Sequence, residues 1–356
     1  MSTIPETMKA ALLTGRNQLQ VREVPTPKPG PMEVLLQVES CACCSTDVAL
    51  MDKPLPGQPP YGNFIPGHEY AGIVAALGEG VDEFRVGTRV AVEAHLGCMR
   101  CKNCRRGNYT ACLNYGTAKH RANGMTSNGG FAQYVINNIN TVHPIPDHID
   151  FNEAALITNL GCVLYGFETI GGYVAGYQVA VIGPGPLGLI SSQVAKALGA
   201  EKVYLIGTRA SRLGKGAETG ADRLINIHEE NAVEVVLKET HGIGADLVVE
   251  SSGAGDAPMM AIKMTKPMGK ILMLGIPHEP VLVDFEDLLM KNKSIHTVRG
   301  EGWSNVARAV SLLGSGKVTL KPYVTHTFPL DQISTAFETF VKRIEGAVKV
   351  VVKPNE

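Results

Sequence analysis

Cys98, Cys101, Cys104 and Cys112 follow one another as C-x2-C-x2-C-x7-C. Four soft ligands this close together can close a tetrahedral thiolate shell around Zn2+, with no position left for a substrate. A ferredoxin run ends in C-x3-C, so the longer last spacing favours structural zinc over an iron–sulfur cluster. Arg100, Lys102, Arg105 and Arg106 share the loop, and their charge is expected to favour the thiolate form. Such a loop supports a fold but names no reaction, and a zinc ribbon that binds nucleic acid would share it.

A second pattern concerns phosphate. Gly183-Pro-Gly185-Pro186-Leu187-Gly188 places G-x-G-x-x-G directly after the apolar run Val179–Ile182 and before a helical stretch, Leu187–Leu198. Gly183 permits a tight turn, Gly185 lets the backbone approach a pyrophosphate, and Gly188 permits close helix–strand packing. The helix N-terminus then offers N–H groups to the phosphates. The next strand, Lys202–Ile206, ends in Gly207-Thr208-Arg209, with Arg212 close behind. No carboxylate stands there for the ribose hydroxyls. Gly207 leaves room for a 2′-phosphate, and Thr208, Arg209 and Arg212 could bind it, so NADP(H) is favoured over NAD(H).

The remaining cysteines are Cys41, Cys43, Cys44 and Cys162. Cys44-Ser-Thr46-Asp47 follows the strand-like run Glu33–Glu39, and Gly67-His68-Glu69 precedes another, Tyr70–Ala76. A Cys and a His from separate segments, with a carboxylate adjacent, are ligand types for an open catalytic zinc.

The elements that must position these residues fall into two grammars. Met8–Leu13, Leu19–Val24, Glu33–Glu39, Tyr70–Ala76 and Arg89–Val92 are short strand-like runs broken by Gly and Pro, which predicts a partly closed barrel. From Glu153 onward, strands alternate with helices: helix Glu153–Thr169, then strands Val179–Ile182, Lys202–Ile206, Asp246–Glu250 and Lys270–Gly275. That alternation predicts a parallel sheet of βαβ units. The tail reads as helices Trp303–Leu313 and Leu330–Arg343 and a strand Ala347–Val352, and Val281–Val283 reads as a sheet edge.

Composition narrows the classes. The 356 residues carry 33 Lys+Arg against 34 Asp+Glu, a net charge of −1, which argues against a nucleic-acid partner. No apolar run approaches the ~18 residues of a membrane span. The opening residues do not read as a secretory signal, and the clustered cysteines suit metal binding in a reducing compartment, so a cytoplasmic location is expected.

Together the motifs resemble those of the zinc-dependent medium-chain dehydrogenase/reductases, the alcohol, sorbitol and threonine dehydrogenase group. The carriers are Cys44-Ser-Thr46-Asp47, Gly67-His68-Glu69-Tyr70-Ala-Gly72, Gly87-Thr-Arg89-Val90, the four-cysteine loop, Gly129-Gly130-Phe131-Ala-Gln-Tyr134-Val and the Gly183–Gly188 turn. The resemblance implies an α/β protein: a GroES-like partly open barrel of residues 1–155 and 298–356, bearing the zinc loop 98–112, and a Rossmann domain of residues 156–297, with the active site between them. It implies hydride transfer between NAD(P)(H) and a secondary alcohol or ketone, the alcohol being a polyol, amino alcohol or cyclic alcohol. Cys44, His68 and Glu69 match the catalytic zinc residues, and Thr46 matches the hydroxyl that begins the proton relay. It further implies a homodimer or homotetramer. Two positions depart from the pattern. The usual third ligand position holds Thr158 or Asn159, with Cys162 about a turn away, and a relay histidine is replaced by Ala49. These departures leave two alternatives: a metal-depleted reductase of an enone or quinone, and a non-catalytic nucleotide-binding protein.

Overall fold

The computed structural model describes residues 4–302 and 304–356. Two compact units divide it, one of Met1–Gly161, Gly300–Gly316 and Leu320–Glu356, the other of Cys162–Arg299 and Lys317–Thr319.

The first unit is built on a seven-stranded sheet. Its path runs Val324–Pro329, Lys349–Lys353, Glu33–Ala42, Glu69–Leu77, Arg89–Val92 and Val142–Pro144, and Tyr134–Asn138 also pairs with Glu33–Ala42. Both ends of the chain therefore meet in one sheet. Val34, Leu36, Val38, Tyr70, Val74 and Val90 are buried in its core at alternating strand positions, and Phe131, just before the strand Tyr134–Asn138, packs among them. Register does the positioning. Ala42 lies opposite Glu69 on one side and Val351 on the other, so Glu69 and Lys349 flank the strand end from which Cys43 and Cys44 emerge. Gly72 sits where this strand pair crosses most closely, and a Cβ there would lie 2.0 Å from the Gln37 carbonyl oxygen.

The second unit is a parallel six-stranded sheet. Its order is Arg223–Asn226, Lys202–Gly207, Gln178–Ile182, Ala245–Glu250, Thr265–Met273 and Ser294–Thr297. Chain order thus reverses on either side of Gln178–Ile182, the switch point at which doubly wound sheets bind their ligands. The central strands Gln178–Ile182, Lys202–Gly207 and Ala245–Glu250 are buried on both faces and read as near-continuous apolar runs, as central parallel strands do, while the edge strand Ser294–Thr297 is mostly exposed.

Several sequence expectations need correction. Glu153–Thr169 is not one helix. Asp150 caps a short helix, Phe151–Ala154, the chain turns at Ala155–Leu156, and a second helix runs Ile157–Thr169. Val281–Val283 forms no strand. Pro277 and Pro280 remove N–H donors before it, Val283 packs onto the core, Leu282 faces outward, and the sheet edge is Ser294–Thr297. Leu330–Arg343 begins with one 3-10 turn, Leu330–Gln332, before the helix Ile333–Lys342. The last strand is Lys349–Lys353 rather than Ala347–Val352. In the expected helix Trp303–Leu313, Trp303 lies outside the described residues, and the helix observed is Asn305–Gly314.

The glycine turn yields a paired prediction. A Cβ on Gly188 would lie 1.9 Å from the Gly183 carbonyl oxygen, whereas one on Gly185 would meet nothing within 4 Å. Gly188→Ala should destabilise the protein by about 1–3 kcal/mol in urea unfolding, while Gly185→Ala leaves the unfolding midpoint unchanged.

Candidate active site

Cys44 lies two residues beyond the strand Glu33–Ala42 and caps the helix Ser45–Asp52. Three residues on, Asp47 is completely buried, and its two oxygens gather the site. Oδ2 accepts the Cys44 N–H at 2.9 Å. Oδ1 accepts the Gly67 N–H at 3.2 Å and lies 3.1 Å from His68 Nδ1. The His68 ring is thereby oriented, with Nε2 turned away from Asp47. Gly67 has φ +97°, and a Cβ there would lie 2.7 Å from Cys41 Sγ, so this backbone path requires glycine. Burial works against a charged His68 ring, but the Asp47 carboxylate and Cys44 hold its pKa well above the ordinary histidine value.

Glu69 follows at the start of its strand, 1% exposed. Its Oε1 accepts Asn159 Nδ2 at 2.7 Å and its Oε2 is ion-paired with Lys349, itself 2% exposed. Lys349 Nζ also donates to the Cys43 carbonyl at 3.2 Å. Burial would lower the Lys349 pKa, yet the charges of Glu69 and Cys44 raise it, so the ammonium stays charged. Ligand atoms of Cys44, His68 and Glu69 lie within 4.8 Å of one another. That is a donor set of thiolate, imidazole and carboxylate, which suits Zn2+. Thr46 is half-buried in the first turn of the same helix, and Ala49 is exposed.

The structure separates the candidates for a third ligand. Thr158 Oγ1 donates to the Val92 carbonyl at 3.1 Å. Cys162 is half-buried and does not join it. Asn159 reaches the group through its contact with Glu69.

Sequence reasoning quoted Asp47 without a role and missed Lys349. The signal for Asp47 was its helix-cap spacing after Cys44. For Lys349, some 280 residues from Glu69 in sequence, no local signal existed. It also missed a second buried pair, His95 Nδ1 to Glu301 at 2.8 Å. Burial opposes ionisation of Glu301, but His95 and then His68 bring its pKa below the usual value.

The four sulfurs of Cys98, Cys101, Cys104 and Cys112 also lie within 4.8 Å of one another. Backbone N–H groups of Cys101, Cys104 and Asn114 point at Cys98, Cys101 and Cys112 sulfurs at 3.3–3.4 Å. Burial raises the Cys98 pKa, but the Arg100 backbone N–H, the Asn114 side chain and the Cys101 N–H outweigh it and bring Cys98 to about 6. At Cys98 oriented N–H groups do the lowering, whereas burial raises Cys112 and pushes Cys104 up to about 12. The hydroxyl of Tyr109 in the loop lies within hydrogen-bonding distance of both Glu93 and the Gly302 carbonyl, joining the loop to the body of its unit.

In the second unit, Gly183 has φ +101° and Gly185 caps the helix Pro186–Ala197, with Pro186 at its first position and Leu187 following. Gly207 is buried against the same turn, where a Cβ would lie 2.4 Å from Pro184, so packing calls for glycine. Thr208 and Arg209 are exposed at the strand end and Arg212 is half-buried. Among the described residues no helix is long and apolar enough to cross a membrane.

Comparison with known proteins agrees with this geometry. A family model described as alcohol dehydrogenase GroES-like domain matches residues 30–147, and one described as zinc-binding dehydrogenase matches residues 186–315. L-threonine 3-dehydrogenase of Pyrococcus horikoshii is 35% identical over 341 residues, covering 93% of this chain and 94% of its own. Sorbitol dehydrogenase of Halalkalibacterium halodurans is 33% identical over 353 residues, covering 98% and 99%. Among solved structures, a zinc-binding dehydrogenase from Sinorhizobium meliloti 1021 bound to NADP superposes with a TM-score of 0.90 at 29% identity, covering 98% of this chain and all of that one.

Asp47→Asn keeps the shape of the hub but removes its charge and one acceptor. It should weaken metal binding at the Cys44 group by about 10–100-fold, read by competition with a zinc-buffering chelator, while the loop metal is unaffected.

Proposed function

The chain belongs to the zinc-dependent medium-chain dehydrogenase family, oxidoreductases of CH–OH groups, and on that premise we propose that it interconverts a polyol or amino alcohol and the matching ketone with NADP(H). The observation that carries this reading is the group of half-buried Cys44 with buried His68 and Glu69, and a hydroxyl, Thr46, two residues from the cysteine. Cys44 and His68 would hold a catalytic zinc with the Glu69 carboxylate within their reach, and Cys98, Cys101, Cys104 and Cys112 would hold a structural one. When bound, the ion supplies Lewis acidity toward an alcohol or carbonyl oxygen, and the nicotinamide supplies a two-electron acceptor or donor.

The chain's own part is orientation and proton handling. Asp47 fixes the His68 ring and the Cys44 backbone, so the two donors converge without paying for reorganisation. Oxidation of a secondary alcohol breaks one C–H and one O–H bond, yielding ketone, NADPH and a proton. Thr46 would hydrogen-bond the substrate oxygen and pass its proton on, as its spacing from Cys44 supports. Since Ala49 is an exposed methyl, the onward path runs through water or the cofactor ribose rather than a histidine. The named relatives take an amino alcohol and a polyol, which supports a substrate with a polar group near the carbinol.

The cofactor preference rests on Gly207, Thr208, Arg209 and Arg212, with Gly183, Gly185, Pro186, Leu187 and Gly188 cradling the pyrophosphate. The sheet edge Ser294–Thr297, with Leu282, Phe285, Leu289 and Met290 each at least two-thirds exposed nearby in the chain, supports a symmetric homo-oligomer. A thiolate loop needs reduced cysteines, which supports a cytoplasmic location.

A panel of polyols, amino alcohols and cyclic alcohols, deuterated at the carbinol carbon, tests the activity. Label should pass to NADPH, and Cys44→Ser should abolish the transfer. Turnover of enones or quinones alone, unaffected by Cys44→Ser, would sink the proposal. Arg209→Ala should raise KM for NADP at least about tenfold, the loss of one charged hydrogen-bonded contact, with little change for NAD. Equal effects on both cofactors would remove Arg209 from the 2′-phosphate site.

A further inference from the structure

One side chain beside the Cys44 group is only half used. Asn159 is 7% exposed, and its Nδ2 donates to Glu69 Oε1 at 2.7 Å. Its carbonyl oxygen, Oδ1, is buried and has no hydrogen-bond partner among the described residues. Buried acceptors are nearly always satisfied, so this oxygen calls for a donor or a cation. The amide cannot simply be turned round, because that would set its oxygen against the Glu69 carboxylate.

Glu69 is in the opposite condition. One oxygen takes the Asn159 amide and the other takes the Lys349 ammonium, which is anchored in turn on the Cys43 carbonyl. Its charge is already compensated inside the protein, and ligation of a cation would compete with a buried ion pair. The same Glu69 Oε1 that orients Asn159 lies 4.0 Å from His68 Nε2, the ring nitrogen that Asp47 leaves available. Thr158, the neighbouring residue in sequence, is committed to the Val92 carbonyl.

Resting on the metal reading above, we propose that Asn159 Oδ1 is the third protein donor at the Cys44–His68 site, and that Glu69 is a positioning residue that aims the amide. The donor set is then one thiolate, one imidazole and one neutral amide oxygen. A neutral, hard oxygen is a weaker partner for Zn2+ than a thiolate or carboxylate. This site therefore gives up its metal before the four-cysteine loop does, and it accepts harder divalent ions more readily than the loop.

The test uses the full chain loaded with Zn2+, or with Co2+ as a spectroscopic probe, and titrated against a chelator. The loop metal serves as the control for folding, and Cys44→Ser defines the signal of the second site. Asn159→Leu should lower affinity at this site by more than about tenfold and shift the visible Co2+ bands. Asn159→Asp should raise affinity, and Glu69→Gln should cost less than Asn159→Leu. Wild-type affinity in Asn159→Leu, or a larger loss in Glu69→Gln, would overturn the assignment and make Glu69 the ligand. If instead the wild-type chain holds only the loop metal, indistinguishable from Cys44→Ser, the metal reading itself fails and the donor assignment falls with it.

Discussion

A single buried carboxylate, that of Asp47, holds together two segments that are otherwise unrelated in sequence. It takes the backbone N–H of Cys44 from its own helix start, and the backbone N–H of Gly67 and the ring of His68 from the segment leading into the next strand. A fully buried carboxylate is costly unless each lone pair is engaged, and here three donors engage it. The consequence is directional: with Nδ1 committed to Asp47, His68 can only present Nε2 to the space beside Cys44. Everything proposed for the chemistry depends on that orientation.

The second constraint is neutralisation. Asp47, Glu69 and the Cys44 thiolate would concentrate negative charge around two carboxylates that are themselves buried. Lys349 answers part of it, carried in by the C-terminal strand that pairs with Glu33–Ala42. The sheet register and the charge balance are therefore one device. Shifting the last strand by one residue would turn Lys349 to the other face and leave Glu69 buried without its partner. The chain's return to the first sheet after the nucleotide-binding unit thus has a local electrostatic purpose as well as a topological one.

What could be read in advance followed the range of the interaction. The cysteine loop, the glycine turn, and the Cys44 and Gly67-His68-Glu69 segments are local motifs whose spacing encodes their geometry, and they lie as that spacing requires. The sheet edge at Val281–Val283 was misread because branched residues suit a strand, yet Pro277 and Pro280 remove donors just before it and Leu282 faces outward. Lys349 was invisible because its role comes from pairing with a strand some three hundred residues earlier. The choice between Thr158 and Asn159 was also closed to sequence, since one residue of alignment decides it. The structure separates them by hydrogen bonds to Val92 and to Glu69.

The central claim is that the chain carries two chemically different metal sites, one of four thiolates and one of mixed donors organised by Asp47. X-ray absorption at the zinc edge of the purified protein, beside Cys44→Ser, addresses it directly. The account predicts a mixed sulfur and nitrogen/oxygen shell in the wild type that becomes all-sulfur in the variant, as the second ion is lost. An all-sulfur shell in both proteins would contradict it, leaving the loop as the sole zinc site.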